Sequence, residues 1–228
     1  MSSYTEGQTH QVMDALQAAG WTADDVTKFG QFKDLPGIRS VVRGHAEIRV
    51  VKRPIQRAPF DPAPFIGAGW TTWRGPINGN GLEGEEECDK RSLALQEVDF
   101  TQARFVDGLK EGEKTVKGEE KLRRMRESGD ILLDPGFAVT LLNEPGQATL
   151  EWYYKTTGKT YLDFMGRILR NPNGNRYVLC VFRSGGGQWG WRFFFWLGDG
   201  WFADDLSASL ATLFISLRLL LGSFACPS

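Results

Sequence analysis

The chain has 228 residues, of which 41% are hydrophobic and 24% are charged, so it can form one large globular domain or two small ones. The formal net charge of −1 gives no global field that would draw the protein to nucleic acid or to an acidic lipid surface. The three cysteines are odd in number, widely spaced and without a CxxC pair, which argues against a disulfide framework and a zinc site.

The chain begins with the polar sequence MSSYTEGQTHQ, which lacks the apolar run of a secretory signal peptide. A protein without that signal and without a disulfide pattern is expected in a reduced compartment. The sequence therefore predicts a cytoplasmic protein.

The N-terminal region, residues 1–57, is predicted to contain three short helices. Apolar residues recur at helical spacing over residues 9–19. Thr22 and Asp25 have the spacing of a capping box for a second helix, and Asp34 can cap a third. Three short helices in succession resemble a helix-turn-helix unit in outline.

Within this region, the segment 36–57 is locally basic. A recognition helix would place such side chains on phosphates or on guanine edges, so the segment is a candidate for binding DNA or RNA. The alternative is a solvated helical face whose charges are balanced by an acidic patch at residues 83–89. The candidate nucleic-acid contacts are Arg39, Arg43, Arg49, Lys52 and Arg53.

A strand over residues 46–51 is predicted to lead into an irregular segment, residues 58–92, that is rich in Pro, Gly and acidic residues. The segment is either functional or wrapped on a sheet. Its carboxylates, including Glu85 and Asp89, do not match the spacing of an EF-hand loop. An exposed, mobile acidic loop is the preferred interpretation, and no metal or cofactor is predicted.

Residues 93–205 are predicted to form an α+β region. A strand is expected over residues 92–100, and Asp99 or Thr101 is expected to cap a helix that reaches residue 109. Three further helices are expected: one over residues 119–127, one that begins at the pair Asp134-Pro135, and one that contains Trp152.

An antiparallel β-meander is predicted over residues 161–202. Runs rich in aromatic and β-branched residues, among them RYVLCVF and WGWRFFFWL, are separated by the turn sequences NPNGN and RSGGGQ. Cys180 lies in the middle of a run and is expected to be a small buried hydrophobic residue.

One face of the last strand of this meander is a candidate ligand platform. Trp189, Trp191, Phe193, Phe195 and Leu197 are expected on the core face, because side chains alternate along a strand. A platform for a sugar, a base or a peptide would use Arg192, Phe194, Trp196 and Trp201. The preferred alternative is that helices of the same chain cover both faces of the sheet.

The C-terminal tail, residues 206–228, is predicted to form an apolar amphipathic helix. Leu206, Leu210, Leu213 and Leu217 begin a stripe with helical spacing. Arg218 lies well inside the run, which disfavours insertion into a membrane. The helix is therefore expected to dock on the sheet or on a second subunit, forming a homodimer or an interface with another protein.

Several segments of the chain resemble a group of uncharacterised hypothetical proteins from bacterial candidate lineages. The similarity is carried by PGIRSVVRGHAEI, GEEKLRRM, LDPGFAVTLL, the following EW, RILRNPNGNRYVLCVF, GQWGW, WL and GW. It extends to about residue 211. The resemblance implies a single α+β fold unit and carries no known activity.

The sequence favours a non-catalytic binding or interaction protein that uses an aromatic β-sheet, because no catalytic constellation is found. Only His10 and His45 could serve as a histidine base, and no GxSxG, HExxH or Walker-type loop occurs. Two alternatives stay open. One is nucleic-acid binding through segment 36–57, and the other is a small hydrolase whose carboxylates, such as Glu97 and Asp99, do acid–base chemistry.

Overall fold

A computed structural model of the protein describes residues 5–32, 34–46, 51–192 and 196–212. The chain divides into two compact units, Met1–Val50 and Val51–Ser228. This division corrects the expectation of a single fold unit, since the first 50 residues form a helical unit of their own. It also moves the predicted boundary at residue 57, because residues 54–56 form a strand that pairs within the second unit.

The first unit confirms the three predicted helices, which are α1 (Glu6–Ala18), α2 (Ala23–Gly30) and α3 (Leu35–Val42). Thr22 and Asp25 form the predicted capping box, in which each side chain accepts a hydrogen bond from the other residue's backbone N–H. A second capping box at Thr5 starts α1 earlier than predicted. Most of the predicted strand over residues 46–51 lies outside the described residues.

The second unit has an α+β architecture. Its helices are α4 (Pro62–Ile66), α5 (Lys90–Ala94), α6 (Gly118–Glu127), α7 (Pro135–Asn143) and α8 (Ala148–Thr157). Its strands are β1 (Pro54–Gln56), β2 (Thr71–Thr72), β3 (Glu97–Asp99), β4 (Arg104–Val106), β5 (Thr115–Lys117), β6 (Ile131–Leu132), β7 (Tyr161–Arg170), β8 (Arg176–Arg183), β9 (Trp189–Arg192), β10 (Gly200–Phe202) and β11 (Asp205–Leu210). Helices and strands thus follow the predicted α+β class.

The main sheet has the strand order β4-β11-β7-β8-β9, and β2 and β6 pair with β7 and β11, respectively. The predicted antiparallel meander is confirmed in β7, β8 and β9. The parallel pairing of β11 with β7 was not predicted, and it makes β11 and β7 interior strands of the sheet. Two further ladders pair β1 with β3 and β5 with β10.

The predicted C-terminal helix is wrong over residues 206–210, because these residues belong to β11. All six residues of the strand are buried, which is the pattern of a strand covered on both faces. Leu206 and Leu210 satisfy a helical spacing and also the two-residue repeat of a strand, and pairing with β4 and β7 selects the strand. The predicted helix from residue 213 onward lies outside the described residues.

Residues 89–109 also differ from the prediction. Asp89 caps the short helix α5, so the predicted strand over residues 92–100 is reduced to β3. The carboxylate of Asp99 accepts hydrogen bonds from the N–H and hydroxyl of Thr101, as a cap would, but the turn stops after one 3₁₀ segment. The predicted helix to residue 109 is replaced by β4, which pairs with β11. The segment 58–92, predicted to be irregular, contains α4 and β2.

Helices cover both faces of the main sheet, as the preferred interpretation of the aromatic residues predicted. On one face, α7 and α8 contribute Phe137, Leu141, Leu150 and Tyr153 to a core with the sheet. On the other face, α6 packs Leu122 and Met125 against a separate core that contains Met165, Val178 and Trp201. The side chain of Cys180 is fully buried, as predicted.

The backbone segments that contain Asp89 and Leu133 pass close to β7 at Gly166, in the part of the strand where the register with β8 shifts. The N–H of Gly166 donates to the carbonyl of Leu133 at 2.9 Å, and its carbonyl accepts from the N–H of Asp89 at 2.8 Å. A β-carbon at this position would lie 2.4 Å from the carbonyl oxygen of Leu132. The crossing therefore requires glycine, because the neighbouring atoms belong to backbone and cannot move aside.

Arg176 of β8 ties the acidic segment to the sheet. Its guanidinium donates to Glu87 at 2.9 Å and to Glu119 at 2.7 Å, and it lies 4.9 Å from the centre of the Trp73 ring. Glu87 also accepts from Arg126 at 2.8 Å. Burial alone would raise the pKa of Glu87, but the two arginines outweigh it and hold the pKa below its ordinary value. The predicted exposed loop is therefore wrong at Glu87, whose side chain is 14% exposed.

We expect Gly166→Ala to lower the free energy of unfolding by about 1–3 kcal/mol or more, because the added methyl group meets backbone atoms. Denaturant unfolding of the full chain measures the change. Gly185→Ala is the matched control, since a β-carbon there meets nothing within 4 Å. Its effect should stay within about 0.5 kcal/mol. Equal stabilities of the two variants would contradict the close approach at Gly166.

We expect Glu87 to contribute to stability above its ordinary pKa of 4.5. A carboxylate whose pKa is lowered on folding binds fewer protons in the folded state, so its contribution is lost as the pH falls through the folded pKa. The Glu87→Gln variant should be less stable than the wild type at neutral pH. It should also lose less stability between about pH 5 and pH 3, as measured by thermal unfolding at each pH. Parallel curves would contradict this.

Candidate functional site

Three polar side chains form one row across the main sheet, on the face that α6 covers. Asp163 lies in the middle strand β7, with Cys180 opposite it in β8 and Ser207 opposite it in β11. All three residues are fully buried. A buried polar row inside an otherwise apolar core lowers stability unless its groups are paired with other polar groups.

Lys121 of α6 lies over this row and is itself fully buried. Every other buried residue of α6 is small or apolar. The buried residues of α6 are Gly118, Lys121, Leu122 and Met125. A β-carbon at Gly108 would lie 2.8 Å from Cγ of Lys121, so the preceding loop packs closely on the lysine chain. The lysine is therefore enclosed along its length.

The Lys121 ammonium is held by three groups. Nζ lies 3.6 Å from Oδ2 of Asp163 and donates a hydrogen bond to the main-chain carbonyl of Asp205. The Trp201 ring lies on a third side, with its centre 4.6 Å from Nζ. The 3.6 Å separation is that of an ion pair and is too long for a normal hydrogen bond.

The carboxyl group of Asp163 is the least satisfied polar group of the site. Neither of its oxygens accepts a hydrogen bond from the described residues, and the hydroxyl of Ser207 also has no partner among them. Burial raises the pKa of Asp163 to about 7, and burial lowers the pKa of Lys121. Both shifts act against the charged forms of the two groups, while the attraction between the ammonium and the carboxylate acts in the opposite direction.

Cys180 is not an activated nucleophile. Burial raises the pKa of its thiol, and the negative charge of Asp163 adds to that shift. The thiol points into the core and contacts the carbonyl of Val181 at 3.2 Å. A thiolate, the reactive form of cysteine, is therefore disfavoured at this position.

The buried row has no opening to two clefts on the surface of the second unit. One cleft has a volume of about 470 Å³ and is lined by residues 85–91 with Arg126, Leu132 and Met165. The other has a volume of about 660 Å³ and is lined by Gln147, Glu151, Arg183 and Trp189, among others. None of the row residues borders either cleft. Because the row residues and Lys121 are also fully buried, the groups within reach of this site are its own side chains.

The predicted aromatic platform is not assembled as expected. Trp201 is 1% exposed and donates its indole N–H to the Trp196 carbonyl at 3.2 Å, so its inclusion in a surface platform is wrong. Trp196 is 40% exposed. The side chain of Arg192 and the whole of Phe194 lie outside the described residues.

The candidate nucleic-acid contacts are divided between the two units. Arg39 and Arg43 are exposed on and just after α3, and Lys52 is exposed at the start of the second unit. Arg53 donates to the carbonyl of Ala148 at 3.4 Å and lies over a tryptophan ring of α8, so its contacts are within its own unit. Arg49 lies outside the described residues.

The two carboxylates predicted as candidates for acid–base chemistry, Glu97 and Asp99, accept structural hydrogen bonds. Glu97 accepts a hydrogen bond from the side chain of Gln56, and Asp99 accepts from the N–H groups of Arg53 and Thr101. Both histidines, His10 and His45, are exposed in the first unit. These positions do not form an acid–base pair facing a cleft.

Sequence reasoning missed Lys121 and Asp163. Lys121 stands in the charged run GEEKLRR, which is typical of a solvated helix, although its spacing from Leu122 and Met125 places it on their side of the helix. Asp163 stands in YLDFM, where one charged residue interrupts an apolar strand. That interruption was the available signal of a buried carboxyl group.

Comparison of the chain with protein-family models, with curated proteins and with solved structures finds no match. Among the described residues, no group of three or more His, Cys, Asp or Glu side chains is arranged to hold a metal ion. No described helix has the length and apolar character needed to cross a membrane.

We expect Asp163→Ala to lower the free energy of unfolding by about 3–5 kcal/mol, because it leaves a buried lysine without its counter-charge. Lys121→Met should cost less, since a methionine fills much of the same space and Asp163 can be protonated. The double variant should be more stable than the sum of the single losses predicts, by about 0.5–3 kcal/mol. Denaturant unfolding of all four proteins measures this coupling.

The surface pair Lys159 and Asp204, whose side chains are 31% and 72% exposed, provides the control for this cycle. Removing either partner should change stability by no more than about 0.5 kcal/mol, because surface ion pairs contribute little. Additive losses at Lys121 and Asp163 would contradict the coupling of the buried pair.

Proposed function

We propose that the protein is a non-catalytic interaction protein that associates with a second copy of itself through the apolar side chains of its N-terminal helical unit. The observation that carries this proposal is the exposure of these side chains. Each of the following residues is at least 37% exposed: Val12, Met13, Trp21, Phe29, Phe32, Leu35 and Val42.

The helices of the first unit lack the buried contacts that stabilise helices in folded proteins. None of the residues in α1, α2 or α3 is buried. Helices of 8 or 13 residues are marginal in water, and most helical stability comes from packing an apolar face. The exposed rings of Trp21 and Phe29 pack edge to face with their centres 5.5 Å apart, and clustered apolar side chains on a surface are typical of an interaction site. The first unit is therefore expected to complete its packing against a partner.

The charge distribution of the first unit favours a second copy as that partner. Residues 1–46 contain four Lys or Arg and five Asp or Glu residues, so the unit has nearly no net charge. The acidic residues are concentrated in α1 and α2, whereas α3 and its end carry Arg39 and Arg43. In a two-fold dimer, each copy can place its acidic helices against the basic helix of the other.

The same charges weigh against nucleic acid as the principal partner. Phosphate binding requires a clustered positive surface. The acidic residues of the first unit outnumber its basic residues by one. The exposed positions of Arg39 and Arg43 on successive turns favour nucleic acid as the second candidate. Charge reversal of both arginines separates the two functions.

We expect the full chain to dimerise reversibly in sedimentation equilibrium measurements. Val42→Asp should weaken the dimer by about tenfold or more, because it places an unpaired charge in an apolar interface. Val42 is the most suitable position, since it is 81% exposed and its replacement leaves the monomer's packing intact. Ile77→Asp, a similarly exposed position in the second unit, is the matched control and should not change association.

A full chain that stays monomeric at every concentration would overturn the proposal. Binding of short duplex DNA or RNA that weakens steeply with salt, and that is lost in an Arg39→Glu, Arg43→Glu variant, would instead support the nucleic-acid function. An unchanged dimer in the Val42→Asp variant would place the interface elsewhere.

A further inference from the structure

We propose that Lys121 and Asp163 condense with each other, forming an isopeptide bond between Nζ of the lysine and Cγ of the aspartate. The bond would cross-link α6 to the central strand β7. Nζ lies 3.6 Å from Oδ2, and both side chains have 0% exposure. Neither oxygen of the carboxyl group accepts a hydrogen bond of normal geometry from the described residues, although the Cys180 thiol lies opposite it in β8.

The surroundings hold the amine against the carboxyl group. Its hydrogen bond to the Asp205 carbonyl and its contact with the Trp201 ring fix Nζ from two sides. A β-carbon at Gly118 would lie 2.6 Å from the Trp201 indole nitrogen, so the start of α6 is packed directly on that ring. Holding two reactants in one geometry replaces a bimolecular encounter, which can raise the effective concentration to about 10⁵ M or more.

The burial of both groups favours their reactive forms. In water an amine and a carboxylic acid exchange a proton, and the resulting ammonium and carboxylate ions do not condense. In this core, burial lowers the pKa of Lys121 and raises that of Asp163, and both shifts are toward the neutral amine and the protonated carboxyl group that condensation requires. The absence of bulk water also favours the amide over hydrolysis.

The reaction is balanced without an oxidant or a reductant. The nitrogen lone pair attacks Cγ and forms the C–N bond, and the C–O bond to the acid hydroxyl then breaks. One N–H proton joins the departing hydroxyl, and one water molecule leaves.

The product also removes the energetic problem of the site. Two ionisable groups that are costly to bury become one neutral amide, whose single N–H can keep the hydrogen bond to the Asp205 carbonyl. The cross-link connects residues that are distant in sequence, so it would also restrict the unfolded chain, as a disulfide does. The product would thus stabilise the contact of α6 with the sheet.

The test is the mass of the purified full chain, measured after denaturation. We expect the wild type to be lighter than its sequence by one water molecule and the Lys121→Met variant to have its full mass. Lys159→Met, which removes the partly exposed lysine paired with Asp204, should keep the loss of water. A folded wild type at its full sequence mass, with no other form present, would overturn the proposal.

Peptide mapping locates the bond and does not depend on the variants. Trypsin does not cleave after a lysine whose amine is acylated, so residues 118–123 should be recovered joined to residues 160–167 as one branched peptide. A water loss that maps to Asp107-Gly108 or Asp199-Gly200, where a succinimide gives the same mass change, would overturn the proposal. Cleavage after Lys121 in all of the wild-type protein would do so as well.

Discussion

The burial of Lys121 is the constraint on which one half of the second unit depends. A lysine ammonium taken out of water costs several kcal/mol unless its surroundings replace the lost hydration. The chain supplies a carboxyl group from β7, a carbonyl from the start of β11 and the face of a tryptophan from β10. All three strands therefore take part in burying the lysine of α6.

The same constraint explains why β11 runs through the middle of the sheet. Its parallel pairing with β7 brings Ser207 beside Asp163 and the Asp205 carbonyl above the lysine. Parallel neighbours need a long connection, and here that connection includes the whole of β8, β9 and β10. The polar row is consequently a meeting point of elements that are far apart in the chain, and it forms only when the complete sheet is assembled. The row is therefore aligned only when the strands pair in the correct order, and it is also the candidate site for chemistry.

The elements that could be predicted from the sequence are those with local causes. Thr22 and Asp25 cap α2, Asp134 caps α7, and glycine-rich turns separate β7, β8 and β9, all within a few residues of the structure they determine. Strand β11 could not be predicted in this way, because the spacing of Leu206 and Leu210 fits a helix and a strand equally well. The buried site was missed for a similar reason. Lys121 stands in a charged run and Asp163 is a lone charge in a strand. That they form a buried pair follows only from the non-local packing of α6 on β7.

The two units differ in how much of their apolar surface they bury, and this difference bears on function. The second unit encloses its large side chains in two cores, one on each face of a sheet. The first unit has well-formed local signals, including two capping boxes, yet encloses none of its helical residues. Local signals determine where a helix starts and ends, whereas burial provides most of its stability. A segment that has the local signals of helices but buries none of its helical residues is suited to completing its packing against a partner. In such a segment, folding and binding are one equilibrium, and the stability of the unit depends on the concentration of its partner.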